Sequence, residues 1–169
     1  IDYNGPVDSN VQAQSDIIDR WVRRRVDCIA VSATDPDALV PALQRAKDAG
    51  IKTITWDADA RQESRSYFLN PVSFDAFGSS WIDMLVEDMG KDEGEILIVT
   101  SVLTAPNQNA WIDAAKKYAA QKHPKLKFPA ILPGDEDVEK SRTVALNYLR
   151  ANPQTVGVIA ATASATPGA

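Results

Sequence analysis

The side chains in this sequence that can do chemistry are mostly carboxylates and amides placed where strands are expected to end. Trp56-Asp57-Ala58-Asp59 closes one strand-forming run, and Asn107-Gln108-Asn109 opens a helix-forming one. Carboxylates accept hydrogen bonds, and side-chain amides both donate and accept, a combination suited to a ligand rich in hydroxyl groups. A single Asn at a helix start is ordinarily a cap, but three consecutive amides exceed what one cap needs. Trp56 and Trp111 flank these sets and offer apolar ring faces to a sugar, although Trp111 at helical spacing equally suits a core. Asp57 follows its strand with no partner from its own unit, so it is either a hydroxyl acceptor or a carboxylate exposed to water.

Catalytic and cofactor-binding patterns are not found. His123 is the one histidine, stands before Pro124, and has no nucleophile in its sequence context, so general-base chemistry is not expected of it. No glycine-rich loop of the dinucleotide or Walker type follows a strand, and no Cys/His cluster or calcium-loop spacing occurs, so no cofactor and no metal are expected. Asp135, Glu136, Asp137 and Glu139 form an acidic cluster that reads as a helix N-terminal preference plus solvation.

The elements that must position these groups are clearest between Val26 and Asp59. Cys28-Ile29-Ala30-Val31 is a short apolar run, expected for a strand covered on both faces. Thr34 or Asp35 caps a helix over 36–49, with Pro36 in its first turn and Leu39, Leu43 and Ala46 as its buried stripe. Gly50 ends it, and Ile51–Trp56 is the next strand. A strand, helix and parallel strand make a βαβ unit, and in open α/β sheets ligands sit at the strands' carboxyl ends. Asp57 stands there.

The same beat runs along the chain. A helix is expected from Ser9 or Asn10 to Arg24, a short strand over Ser66–Leu69 closed by Asn70-Pro71, and a helix over Ser73–Met89 with Phe74, Phe77, Trp81, Met84 and Leu85 as core. Strands over 95–101, 127–132 and 155–160 alternate with helices over 107–121 and 137–150. The polar loop at 60–65 and the turn at 70–71 place a boundary there, with three strands before it (the first ending at Ile1–Tyr3) and three after. The expected organisation is α/β, two doubly wound parallel-sheet lobes with a ligand cleft between them. Residues 1–66 supply part of an N-terminal lobe that lacks its first strand and helix, and residues 67–169 part of a C-terminal lobe. The opening at a strand end and the close at a barely begun helix suggest an internal piece of a longer protein.

Composition narrows the classes further. A chain of 169 residues can bury a core without disulfides or metal. Its single cysteine, Cys28, is expected mid-strand as a small buried hydrophobe. The net charge of −5 argues against a nucleic-acid partner. Arg20, Arg23, Arg24 and Arg25 suit the carboxyl end of a helix dipole. No run is long enough to span a membrane, and no leader-peptide pattern is present.

Several ordered motifs, N-G-P-x-x-x-N-V-x-x-Q at Asn4–Gln14, V-S-A-x-x-P-D-A-L-x-P-A-L at Val31–Leu43, T-W-D-A-D at Thr55–Asp59, R-S-Y-F-L-N at Arg65–Asn70 and N-Q-N-A-W at Asn107–Trp111, resemble the periplasmic sugar-binding proteins of ABC importers. Within that family the chain is most similar to the rhamnose-binding branch and the branch that binds the furanosyl autoinducer-2. The resemblance implies two lobes closing on a small sugar, with Asp57, Asn107 and Gln108 on its hydroxyls and the backbone around Ala161 and Ala163 lining the cleft; Trp56 and Asp59 are expected among the ligand-binding residues as well. Asn107 stands where the autoinducer branch has aspartate, which favours a deoxyhexose, whereas Ala161 stands where that branch has proline.

The resulting expectation is a non-enzymatic solute-binding protein, monomeric, periplasmic or lipid-anchored, that hands a sugar to a membrane permease. The same architecture serves the effector domain of a sugar-responsive repressor, which a helix-turn-helix upstream of Ile1 would identify. A sugar-modifying enzyme on a doubly wound sheet would need a base, metal or phosphate loop from elsewhere in the protein.

Overall fold

The computed structural model describes residues 1–169 as two compact units, Ile1–Pro71 with Thr104–Asn107, and Val72–Leu103 with Gln108–Ala169. The first unit contains α1 (Val11–Arg24), β1 (Cys28–Val31), α2 (Val40–Asp48), β2 (Lys52–Trp56), a 3-10 turn (Gln62–Ser64) and β3 (Tyr67–Leu69). Its sheet is parallel in the order β1-β2-β3, with Val31 opposite Thr55 and Trp56 opposite Leu69.

Local chemistry sets the ends of these elements. Asn10 accepts from the Ala13 N–H at 2.9 Å and caps α1, and Arg25 closes that helix in the left-handed region at φ 54°. The expected helix over 36–49 starts later than its sequence suggests. The Asp35 carboxylate accepts from the N–H groups of both Asp37 and Ala38, and Val40 N–H bonds the Asp37 carbonyl three residues back. Asp35 thus caps the turn at 36–39, as its sequence suggests, and α2 proper begins at Val40. Gly50, at φ 80°, ends it as expected.

Two expectations change in this sheet. Ile1–Tyr3 is not a strand; the third strand is Tyr67–Leu69, whose ladder to β2 moves the division from 66/67 to beyond Pro71. Cys28 is exposed rather than buried. Both α1 and α2 pack on the Ile29 and Val31 side, where Ile18, Leu39, Leu43 and Ala46 complete the core. Alternation along a strand then turns Cys28, Ala30, Trp56, Tyr67 and Leu69 to the other face, which no helix of this unit covers.

The second unit runs α3 (Phe74–Met89), β4 (Gly94–Thr100), α4 (Pro106–Lys122), β5 (Leu126–Pro133), α5 (Val138–Ala151), β6 (Thr155–Ala160) and α6 (Ala165–Gly168), with α4 contributing from Gln108 onward. The parallel order is β5-β4-β6, so β4 is central. It is buried on both faces, Ile96 and Ile98 with Ile82, Ile112 and Ala115, and Leu97 and Val99 with Ala145 and Ala165. That accounts for the near-continuous apolar run of its sequence.

Ser73 and Asp137 cap α3 and α5. Helices α3 and α4 approach closely at Gly78, where a β-carbon would stand 2.6 Å from both the Ala115 nitrogen and the Trp111 carbonyl oxygen. Beside that point Phe77, Trp81 and Trp111 form a mutually tilted trio with ring centroids 4.9 to 6.1 Å apart. Trp111 is thus a packing residue.

Candidate functional site

The strand β2 delivers Asp57 directly after its last residue. Asp57 adopts φ 60°, in the left-handed region, which Asp tolerates better than most residues. Its N–H donates to the Leu69 carbonyl at 3.1 Å, and the next carbonyl, of Ala58, accepts from Ala33 N–H at 2.9 Å. The turn is therefore tied to β3 on one side and to the loop after β1 on the other. Asn107, grouped with this same unit, donates its Nδ2 to Asp57 Oδ2 at 2.9 Å. Trp56 is 44% exposed on the uncovered side of the sheet, opposite Leu69.

Asp59 lies two residues beyond Asp57 and is fully engaged. Its Oδ1 accepts from Thr55 Oγ1, from Ala60 N–H at 2.9 Å and from Arg65 Nε at 2.9 Å, while Oδ2 accepts from Arg65 Nη2 at 2.7 Å. A carboxylate offers about four acceptor sites. Four donors leave little for a ligand, and the expectation that Asp59 contacts sugar gives way to an internal role. Burial is the largest single influence on its pKa and pushes it up. The bonds from Arg65 and Thr55, the Arg65 charge and the Ala60 N–H together outweigh that and hold it below the usual carboxylate range. Gln14 braces the neighbouring loop, its Nε2 donating to Ser32 O at 2.7 Å and its Oε1 accepting from Thr34 N–H at 3.1 Å.

In the second unit the polar groups again gather where strands end. Gln108 is 7% exposed, and its Oε1 accepts from Thr100 Oγ1 at 2.5 Å and Ser101 N–H at 2.8 Å. Asn109 Nδ2 donates to the Leu103 carbonyl at 2.9 Å, closing the loop before α4. Ala161 is buried, with its N–H on Val99 O at 2.8 Å, and Ala163 is exposed in the loop that follows β6. That loop is held by Glu136, whose Oε2 accepts from Thr162 Oγ1 and Ser164 Oγ, each at 2.6 Å.

The acidic cluster therefore divides. Asp137 caps α5, Asp135 pairs with Lys140, and Glu136, though exposed, is also a structural acceptor. Sequence reasoning missed Arg65, Gln14 and Glu136 because their partners lie on other elements; R-S-Y-F-L-N and N-V-x-x-Q were the available signals. No three His, Cys, Asp or Glu side chains converge on a point that could hold a metal. A groove of about 440 Å³ lined by Lys116, Ala120, Pro124, Leu126, Lys127 and Phe128 lies where β5 begins, at the opposite end of the strands from these groups.

A family model described as periplasmic binding protein domain matches residues 1–169. The chain belongs to that family. Among solved members, an ABC transporter solute-binding protein from Clostridium phytofermentas with bound L-rhamnose is 30% identical with a TM-score of 0.91, over 96% of this chain and 50% of that one. A Clostridium saccharobutylicum LsrB in complex with AI-2 is 25% identical with a TM-score of 0.92, over 99% and 54%. A Burkholderia graminis solute-binding protein in complex with D-arabinose is 27% identical with a TM-score of 0.85, over 98% and 56%. This periplasmic-binding-protein chain thus spans about half the length of the solved relatives it matches, and shares their α/β architecture of parallel sheets.

Proposed function

We propose that this chain is part of the solute-binding component of an ABC sugar importer, a non-enzymatic, monomeric, periplasmic or lipid-anchored protein that delivers a monosaccharide to a permease. A deoxyhexose such as L-rhamnose is the favoured ligand. The observation that carries the reading is Asp57, set at the carboxyl end of β2 with the Asn107 amide on its carboxylate at 2.9 Å. A carboxylate and amide side by side present the acceptor and donor pattern that hydroxyl pairs satisfy, and the carboxyl end of a parallel sheet is where such folds take ligands.

Asp57, Asn107 and Gln108 contact the sugar in this reading, with the backbone at Ala161 and Ala163 lining the site and Trp56 beside it. Sugar hydroxyls that meet groups of both units favour a closed state through their differential affinity for it. Family membership and relatives bearing L-rhamnose, D-arabinose and AI-2 support the class of ligand and leave its identity to measurement.

Calorimetric titration of the full-length protein with L-rhamnose, D-arabinose and AI-2 tests the reading. Saturable one-site binding is expected, tightest for L-rhamnose. Preference for another of the three replaces the deoxyhexose, and no heat with any of them overturns the assignment.

A further inference from the structure

We infer that the Asp59–Arg65 ion pair is a positioning device for the binding carboxylate: it touches no ligand, and it fixes the backbone turn from which Asp57 meets one. The inference deepens the sugar-binding reading and rests on it for one arm of its test.

The need for such a device follows from Asp57 itself. A non-glycine residue at φ 60° is held against a steric cost, which Asp bears better than most residues but does not escape. Without restraint, a strand end of this kind relaxes towards extended backbone and swings its side chain away. The Asp59 carboxylate opposes this by joining three stretches of chain. Thr55 precedes the turn, Ala60 follows it directly, and Arg65 stands at the threshold of β3. The last tie also places β3 so that Leu69 O receives the Asp57 N–H.

The pair is built for rigidity. Its side chains are 26% exposed at Asp59 and 19% at Arg65, and the two nitrogens of the guanidinium fork take one oxygen each. Behind it, the Arg65 guanidinium carbon lies 5.6 Å from the centre of the Phe68 ring, and Phe68 stands opposite Thr55 in the ladder. A fork stacked on an aromatic face loses less freedom per bond than a flexible ammonium.

The same unit supplies an internal control. Arg61 and Asp37 also pair through Nε and Nη2, at 2.5 and 2.8 Å, yet they are 54% and 66% exposed and tie no part of the turn at Asp57. Exposed pairs of that kind contribute little.

The test uses the full-length protein carrying Asp59→Asn, Arg65→Gln, Arg65→Lys, the double Asp59→Asn/Arg65→Gln, or Arg61→Gln. Two quantities are read: hydrogen exchange over residues 54–60, and affinity for L-rhamnose by calorimetry. Asp59→Asn and Arg65→Gln are each expected to speed exchange at the Asp57 amide, leave β1 protected, and weaken binding roughly ten- to a hundredfold, the span of one lost charge-assisted contact.

The double variant should be no worse than either single, Arg65→Lys should recover part of the loss, and Arg61→Gln should match the wild type. Weakened binding in Asp59→Asn with wild-type behaviour in Arg65→Gln would make Asp59 a direct sugar contact and overturn the inference. Unchanged exchange at Asp57 in both singles, or faster exchange spread through the whole sheet, would overturn it as well. If the wild type takes up no sugar, the functional reading fails by itself, and the exchange arm still decides whether the pair positions Asp57.

Discussion

Replacing Gly78 with alanine sets two physical effects of opposite sign against each other. In an exposed helix interior, Gly→Ala stabilises by about 1 kcal/mol because alanine surrenders less backbone entropy. Inside the α3–α4 crossing the new methyl would stand 2.6 Å from the Ala115 nitrogen and the Trp111 oxygen and 2.7 Å from the Ala114 β-carbon. Two of those neighbours are backbone and cannot turn aside. Restoring ordinary contacts of about 3.5 Å requires the helices to part by roughly 0.9 Å, a distance over which much of the packing attraction between them is lost.

Overpacking of this kind costs about 1–3 kcal/mol before the propensity gain is subtracted. The net expectation for Gly78→Ala is therefore destabilisation by about 0–2 kcal/mol. The assay is urea denaturation of the full-length protein followed by tryptophan fluorescence. The near-ultraviolet circular dichroism of the folded variant should change too, because Phe77, Trp81 and Trp111 meet beside the crossing. A variant more stable than the wild type would refute the packing argument, since it would mean the helix propensity acts unopposed.

Asp57→Ala should abolish sugar binding while unfolding stays cooperative; wild-type affinity in that variant removes Asp57 from the site. Asp59 has its pKa held below the usual carboxylate range, so its contribution to stability is full above the unfolded carboxylate pKa and fades as pH falls through the lower folded value. The stability gap between wild type and Asp59→Asn should accordingly be constant from about pH 5 to 7 and narrow as pH falls below the ordinary Asp value of about 4, as urea titrations across that range would show. Glu136→Ala removes the acceptor of Thr162 and Ser164 and, because the residue is exposed, should cost only on the order of 1 kcal/mol. Faster hydrogen exchange confined to 161–165 is its expected mark.

Much of this fold is legible because its rules are local. The apolar run of β4 announces a strand covered on both faces, and Ser73 and Asp137 mark helix starts through bonds spanning three residues. The placement of Asp57 after a strand is legible for the same reason. What the sequence hides depends on distant partners. Cys28 and Ala30 look as buried as Ile29 and Val31, and only the stacking of α1 and α2 on one side separates them. The Asp59 side chain reads as a second binding carboxylate until Arg65 is seen to fill it. Glu136 resembles its acidic neighbours until a loop some twenty-six residues later folds back onto it. The cap at Asp35 is legible for a local reason, while the turn at 36–39 that delays α2 to Val40 is not.

The strand order β5-β4-β6 bears on how the chain is made. As the polypeptide emerges from the ribosome, the three strands β1, β2 and β3 can all pair once Leu69 has appeared, each adding beside the one before. In the second unit β4 finds β5 soon after its own synthesis, but its other edge waits for Thr155–Ala160. Throughout that interval the most apolar strand of the chain presents an unpaired edge, the kind of surface that draws in other chains. A nascent chain stalled before Thr155 should therefore be bound by a holdase chaperone more firmly than one stalled just after Leu69.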